Sequence, residues 1–277
     1  ATQTADRRQG APCMPRNSGA NPTTGEICLV STTEQRYFRN PVQIYSTCKV
    51  EEVTEMMDAI DARVKNESLY AAGYLSYEAS AAFEDAIVTH GNGSDAILWF
   101  GLYETCESTI PAADEGTGST PRWEPSISEA EFDAAIKRIR DYIGRGDTYQ
   151  VNYTFPLHAD FEGDPYAWFR QLCDAQSADY CAYLDTGSHI IVSASPELFF
   201  SLDERRLMTK PMKGTIARGK TLEQDRIQRD ALSDSEKDRA ENIMIVDLLR
   251  NDMGRISETG SVHVESRFDV SKFDTLW

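Results

Sequence analysis

The 277 residues carry 45 acidic against 28 basic side chains, a net charge of −17, with 40% hydrophobic and 26% charged residues. This is the composition of an ordinary globular chain long enough for one large domain or two small ones. Such acidity repels phosphate backbones and sets general nucleic-acid binding aside, and no run nears the roughly 18 apolar residues of a membrane span.

Residues 1–26 lack the apolar core of a signal peptide and read as a disordered leader, although their Arg, Ser and Thr content also matches an organelle transit sequence. The chain begins without Met and stops at "KFDTLW", which suggests truncation at both ends. Cys13, Cys28, Cys48, Cys106, Cys173 and Cys181 include no C-x-x-C pair, so reduced thiols in a cytoplasmic protein are expected rather than zinc or a disulfide framework. Asn66, Asn92 and Asn152 match the glycosylation pattern by chance on that reading.

"YFRNPVQIYS" predicts a strand, and "EEVTEMMDAIDARV" a helix with Val53, Met56, Met57 and Ile60 on one stripe. "LYAAGYLSYEA" and "AILWFGLYET" predict apolar strands, and the polar stretch 107–125 a surface connection. Ser126 and Glu129 have capping-box spacing ahead of a helix striped by Phe132, Ile136, Ile139 and Ile143. "TYQVNYTFPLH" alternates like a strand, and "PYAWFRQLCDA" is expected to be helical. Three short strands follow in "DYCAYLD", "HIIVSAS" and "ELFFSLD". "TLEQDRIQRDAL" and "SEKDRAENIMIVDLLRNDMG" then predict helices, the second opened by a Ser233/Glu236 box. Strands and helices without regular βαβ alternation indicate an α+β fold.

Three stretches carry candidate chemistry. In "SASPELFF", Glu197 stands at the start of an apolar strand, where solubility does not require a carboxylate; an edge-strand charge explains it about as well as a functional role. In "TKPMKGTIARG", Lys213 lies in a loop punctuated by Pro211, Gly214 and Gly219. A lone loop lysine is ordinarily a solvated cation, but a desolvated one serves where a neutral amine is a nucleophile or base. In "SEKDRAENIMIVDLLRND", Asp238 and Glu241 are i, i+3 neighbours able to offer oxygens to Mg²⁺. Asp238 is better explained as a solvated first-turn acid favouring the helix dipole, which leaves Glu241 the better ligand candidate.

In this order, "GDTYQVNYT", "SASPELFF", "KPMKGTIARG" and "KDRAENIMIVDLLRNDMGRI" resemble the successive motifs of the chorismate-utilising enzymes, from about residue 126 to the last. These include anthranilate, aminodeoxychorismate, isochorismate and salicylate synthases. "GYLSYEA" and "LWFGLYE" are similar to the divergent front of aminodeoxychorismate synthase component I, especially forms fused to a lyase domain. Lys213 stands where anthranilate synthases usually have Ala, and Gln150 where isochorismate and salicylate synthases carry a water-activating Lys. The resemblance thus favours the aminodeoxychorismate branch.

It implies antiparallel sheets packed as a sandwich with surrounding helices. The divisions are a leader (1–26), a divergent N-terminal part (27–106), a connection (107–125) and an incomplete catalytic region (126–277). It further implies that Lys213 attacks C2 of chorismate while Glu197 protonates the departing 4-hydroxyl, and that ammonia from a glutamine amidotransferase partner then takes C4. Mg²⁺ would be held by Glu241 with Asp238, and Gly214, Thr215 and, more weakly, Arg218 would contact substrate; Arg218 serves loop structure instead on the plainer reading. The product would be 4-amino-4-deoxychorismate, for para-aminobenzoate and folate synthesis.

The family's second Mg²⁺-binding Glu, its Gly-rich carboxylate loop and its His have no counterpart here. These residues alone are therefore expected to be inactive and to expose apolar surface. Two competitors stand. Anthranilate formation is opposed by Lys213; a catalytically silent, metabolite- or subunit-binding partner is opposed by the intact Glu197, Lys213 and Glu241.

Overall fold

The computed structural model of the chain describes residues 24–90, 95–113, 121–176 and 178–277. The leader over residues 1–23, Cys13, the Asn92 match and residues 114–120 of the polar connection lie outside these. In chain order the elements are β1 (Ile27–Val30), β2 (Gln35–Phe38), β3 (Gln43–Thr47), α1 (Val53–Glu67), β4 (Tyr70–Leu75), β5 (Leu98–Tyr103), β6 (Glu124–Pro125) and α2 (Glu129–Arg145). There follow β7 (Leu157–His158), α3 (Pro165–Gln176), β8 (Tyr180–Asp185), β9 (Ile190–Ser195), β10 (Leu198–Asp203), β11 (Arg206–Lys210), α4 (Leu222–Asp234) and α5 (Glu236–Gly254). Two units emerge: residues up to Ala112 together with Phe169–Trp277, and Ala113–Trp168.

In the larger unit, β5 shows how a strand's period of two makes two cores. Trp99 and Tyr103 point one way and share a cluster with Ile27, Phe38 and Leu184, joining the antiparallel sheet β3-β5-β4 to the antiparallel sheet β2-β1-β8-β9. Leu98 and Leu102 point the other way, onto Val53 and Ile60 of α1, with Met56 and Met57 partly buried beside them. The α1 stripe therefore packs as its spacing predicts. The fold is α+β, with two sheets facing each other and a helix on the outer face of one. Pairing of β1 with β8 means that the four-stranded sheet draws on both the 27–106 and the 126–277 stretches. β1 itself, the short run "ICLV", opens the division that begins at residue 27 but carries too little pattern to be read as a strand by sequence.

Four expectations change. "YFRNPVQIYS" forms two strands, β2 and β3, that belong to different sheets. α2 is capped by Ser128 and Glu131, not by Ser126 and Glu129. Likewise α5 is capped by Ser235, whose hydroxyl accepts from the Asp238 backbone N–H, not by Ser233. "TYQVNYTFPLH" is not a strand over most of its length: among the described residues Leu157–His158 pairs with Glu124–Pro125, and 149–156 joins no ladder. Its alternation instead puts Tyr153 and Phe155 beside Phe132 of α2, with centroids 6.0 and 5.9 Å from that ring. The α2 stripe is less covered than its amphipathicity suggests, since no residue of that helix is buried.

Candidate functional site

The loop after β11, residues 211–219, presents Lys213 and is fixed at three places. At its start, the β10–β11 hairpin pairs Leu198 with Lys210, which brings Glu197 to the loop's first residues. The Met212 backbone N–H donates to Glu197 Oε1 at 2.9 Å. The same glutamate is oriented by Ser195, whose Oγ accepts from Glu197 N at 3.2 Å. The candidate acid is thus tied to the backbone of the residue before the candidate lysine, although it does not line the cavities that Lys213 lines; Glu197 is exposed and Lys213 half-buried rather than fully buried.

In the middle, Gly214 has φ of +80° and lies against the first turn of α5: a Cβ there would stand 3.0 Å from Asp238 Cβ. Left-handed backbone and close approach together call for glycine. Lys213, Gly214 and Asp238 line one small cavity of about 70 Å³ with Arg239, Asn242 and Phe268. Thr215 is exposed, and Glu241 lies one turn further along α5, outside that lining. A wider cleft of about 1390 Å³, lined in part by Pro196, Lys213, Phe200, Val246 and Arg250, opens beside it.

At its end, the loop pairs with the segment 273–277: Ile216 and Trp277 exchange backbone hydrogen bonds of 3.1 and 2.9 Å. Arg218 turns inward. Its Nε and Nη2 each donate to the Asp225 carboxylate at 2.6 Å, and its Nη1 donates to the Phe273 carbonyl at 2.7 Å. Of the two roles the sequence left open for Arg218, this is the structural one. Asp225 was missed by sequence reasoning; an acid in the first turn of α4 looks like an ordinary dipole partner. The Arg218 guanidinium, with the Gly219 N–H and the Trp277 ring N–H, holds the Asp225 carboxyl far below the usual carboxylate range.

Elsewhere, no disulfide joins Cys28, Cys48, Cys106, Cys173 or Cys181. Burial pushes the Cys173 thiol up to about 12, which makes it a poor nucleophile at neutral pH. Gln150 belongs to the smaller unit, on the irregular stretch after α2. No described helix is long and apolar enough to cross a membrane.

A model of the chorismate binding enzymes matches residues 103–277, more than half of the chain. The chain belongs to the chorismate binding enzyme family. Among curated relatives, it is 42% identical over 168 residues to aminodeoxychorismate synthase component 1 of Klebsiella aerogenes, a match covering 61% of this chain and 37% of that protein. Anthranilate synthase component 1 of Aquifex aeolicus is 39% identical over 152 residues, covering 54% of this chain and 31% of the relative. The match therefore spans about a third of the length of these relatives. Among solved structures, anthranilate synthase component I of Streptococcus pneumoniae superposes with a TM-score of 0.67 at 21% identity, covering 94% of this chain and 69% of that one. That likeness carries the fold: antiparallel sheets with helices, as expected from the motifs.

Proposed function

We propose that the complete protein is component I of aminodeoxychorismate synthase and that Lys213 and Glu197 carry its chemistry. The observation behind this reading is the 2.9 Å hydrogen bond from Met212 N to Glu197 Oε1, which ties a carboxylate to the residue preceding the lysine. The Lys213 amine attacks C2 of the chorismate ring, both conjugated ring double bonds shift, and the C4–O bond breaks. Glu197, as general acid, gives its proton to the departing hydroxyl. Ammonia then attacks C4, both ring double bonds return to their places, the C2–N bond to Lys213 breaks, and a proton from the added ammonia returns to Glu197, so the enzyme is regenerated with 4-amino-4-deoxychorismate. A glutamine amidotransferase partner supplies the ammonia in this reading, and the cytoplasm is where the pair works.

Among the described residues no group of three or more His, Cys, Asp or Glu gathers as a metal cage. Mg²⁺ does not require one, because it takes one or two protein carboxylates and keeps water and substrate oxygens. Asp238, in the Lys213 cavity, and Glu241, one turn along α5, are the pair that would hold it. There it would neutralise a substrate carboxylate. Gly214 and Thr215 offer backbone groups to the same substrate.

Anthranilate formation is the second reading, favoured by the relative from Aquifex aeolicus and opposed by Lys213. The deciding experiment incubates the complete reading frame with chorismate, Mg²⁺ and ammonium and identifies products by mass and chromatography. Aminodeoxychorismate is expected, reduced on the order of 10³-fold or more by Lys213→Ala. Anthranilate, or undiminished turnover in the variant, defeats the assignment; no turnover at all favours a silent binding partner.

A further inference from the structure

From residue 187 to the last, Asp225 is the one buried side chain among the described residues, 9% exposed. A carboxylate is the costliest kind of group to withdraw from water, so its partners must account for its place. They come from two separate segments, the 211–219 loop and the stretch at 273–277. Arg218 supplies two charge-assisted bonds, the Gly219 N–H donates to Oδ1 at 3.0 Å, and Trp277 Nε1 donates to the same oxygen at 3.0 Å. The guanidinium also stacks on the Trp277 ring, 4.6 Å from its centroid. Close approach needs the glycine: a Cβ on Gly219 would stand 2.1 Å from the Asp225 backbone nitrogen.

We propose that Asp225 is a positioning residue for the Lys213 amine, forming with Arg218 and Trp277 a latch that fixes the far end of the 211–219 loop. Its catalytic consequence rests on the reading of Lys213 as nucleophile; its structural consequence does not. An amine on a four-carbon stem reacts well when held within about 3–3.5 Å of its target, so the loop beneath it must not drift. Glu197 holds one end, Asp238 abuts the middle at Gly214, and the latch holds the other end against α4 and the 273–277 segment. The exposed Arg36–Glu34 pair, two residues apart, ties nothing remote, and pairs that do span the chain, such as Arg39–Glu107 and Arg205–Glu258, stay open to water. The latch joins residues 7 and 52 positions from Asp225.

The test uses the complete reading frame with Asp225→Asn, which keeps the shape and removes the charge. Lys213 is acylated with acetic anhydride at fixed pH and followed by peptide mass spectrometry, with Lys49 and Lys65 as internal references. Loss of a charge-assisted bond is expected to raise Lys213 labelling about tenfold, with both references unchanged. It should also lower kcat while leaving KM for chorismate within about twofold. If Asp225→Asn precipitates, Trp277→Phe keeps most of the stack, loses the ring N–H, and should raise labelling about threefold. Lys213 labelling within twofold of wild type, or an equal rise at the references, overturns the latch. Full turnover by Lys213→Ala would sink the catalytic reading instead, leaving the labelling result to stand or fall separately.

Discussion

In the sheets of the larger unit, side chains as large as Trp99, Tyr103, Ile27 and Leu98 are removed from water, and packing follows the strand period face by face. In β10, β11, α4 and α5 of the same unit, no described hydrophobic residue is buried, and Phe199 and Leu222 are 81% and 91% exposed. What orders the second region is directional: the Glu197–Met212 bond, the Ser235 cap and the Asp225 carboxylate. Burial is non-directional, whereas a hydrogen bond to a carboxylate weakens steeply away from its preferred distance and angle. The candidate chemistry sits on side chains held by hydrogen bonds, in a region whose apolar faces these residues leave uncovered.

The strongest way to break this comparison is Trp99→Ala. Emptying a site shared by two sheets should cost about 3–5 kcal/mol in urea unfolding. A loss below about 1 kcal/mol would mean that the sheets are not the packed half.

Acid gives the next effect. The Asp225 carboxyl is depressed in the folded chain, so its contribution is fully present above the unfolded Asp value of about 4 and is lost as pH falls towards the folded value. Amide protection at Ile216 and Arg218 should therefore fall below about pH 4 before that of β5 does, and Asp225→Asn should abolish the difference. Simultaneous loss in both places would erase the distinction between the regions. The smallest effect belongs to Leu222→Ser, expected within about 0.5 kcal/mol of wild type by thermal unfolding. A larger cost would show that this side chain is more covered than its surroundings suggest.

How much was legible differs by element. The α1 stripe was readable because Val53, Met56, Met57 and Ile60 repeat at helical spacing and have an apolar surface to meet. The capping residues were not, for a local reason. Ser126/Glu129 and Ser128/Glu131 both satisfy the spacing, as do Ser233/Glu236 and, with an aspartate, Ser235/Asp238. Two candidates two residues apart cannot be ranked until the helix has begun. At 149–155, the alternation was real and its interpretation was not, since a ladder requires a partner that those residues alone do not reveal.

By itself the sequence determined the motif order, and with it the family and the residues worth testing: Glu197, Lys213, Asp238 and Glu241. It also determined the periodicities from which helices and most strands follow, because those depend on neighbours a few positions away. Tertiary structure alone decided that Glu197 reaches the Lys213 loop, that Gly214 meets Asp238, and that Arg218 faces a buried carboxylate and Trp277. The physical reason is range: a side chain 15 or 52 residues from its partner leaves no local pattern, and only closure of the chain determines which charge loses its water.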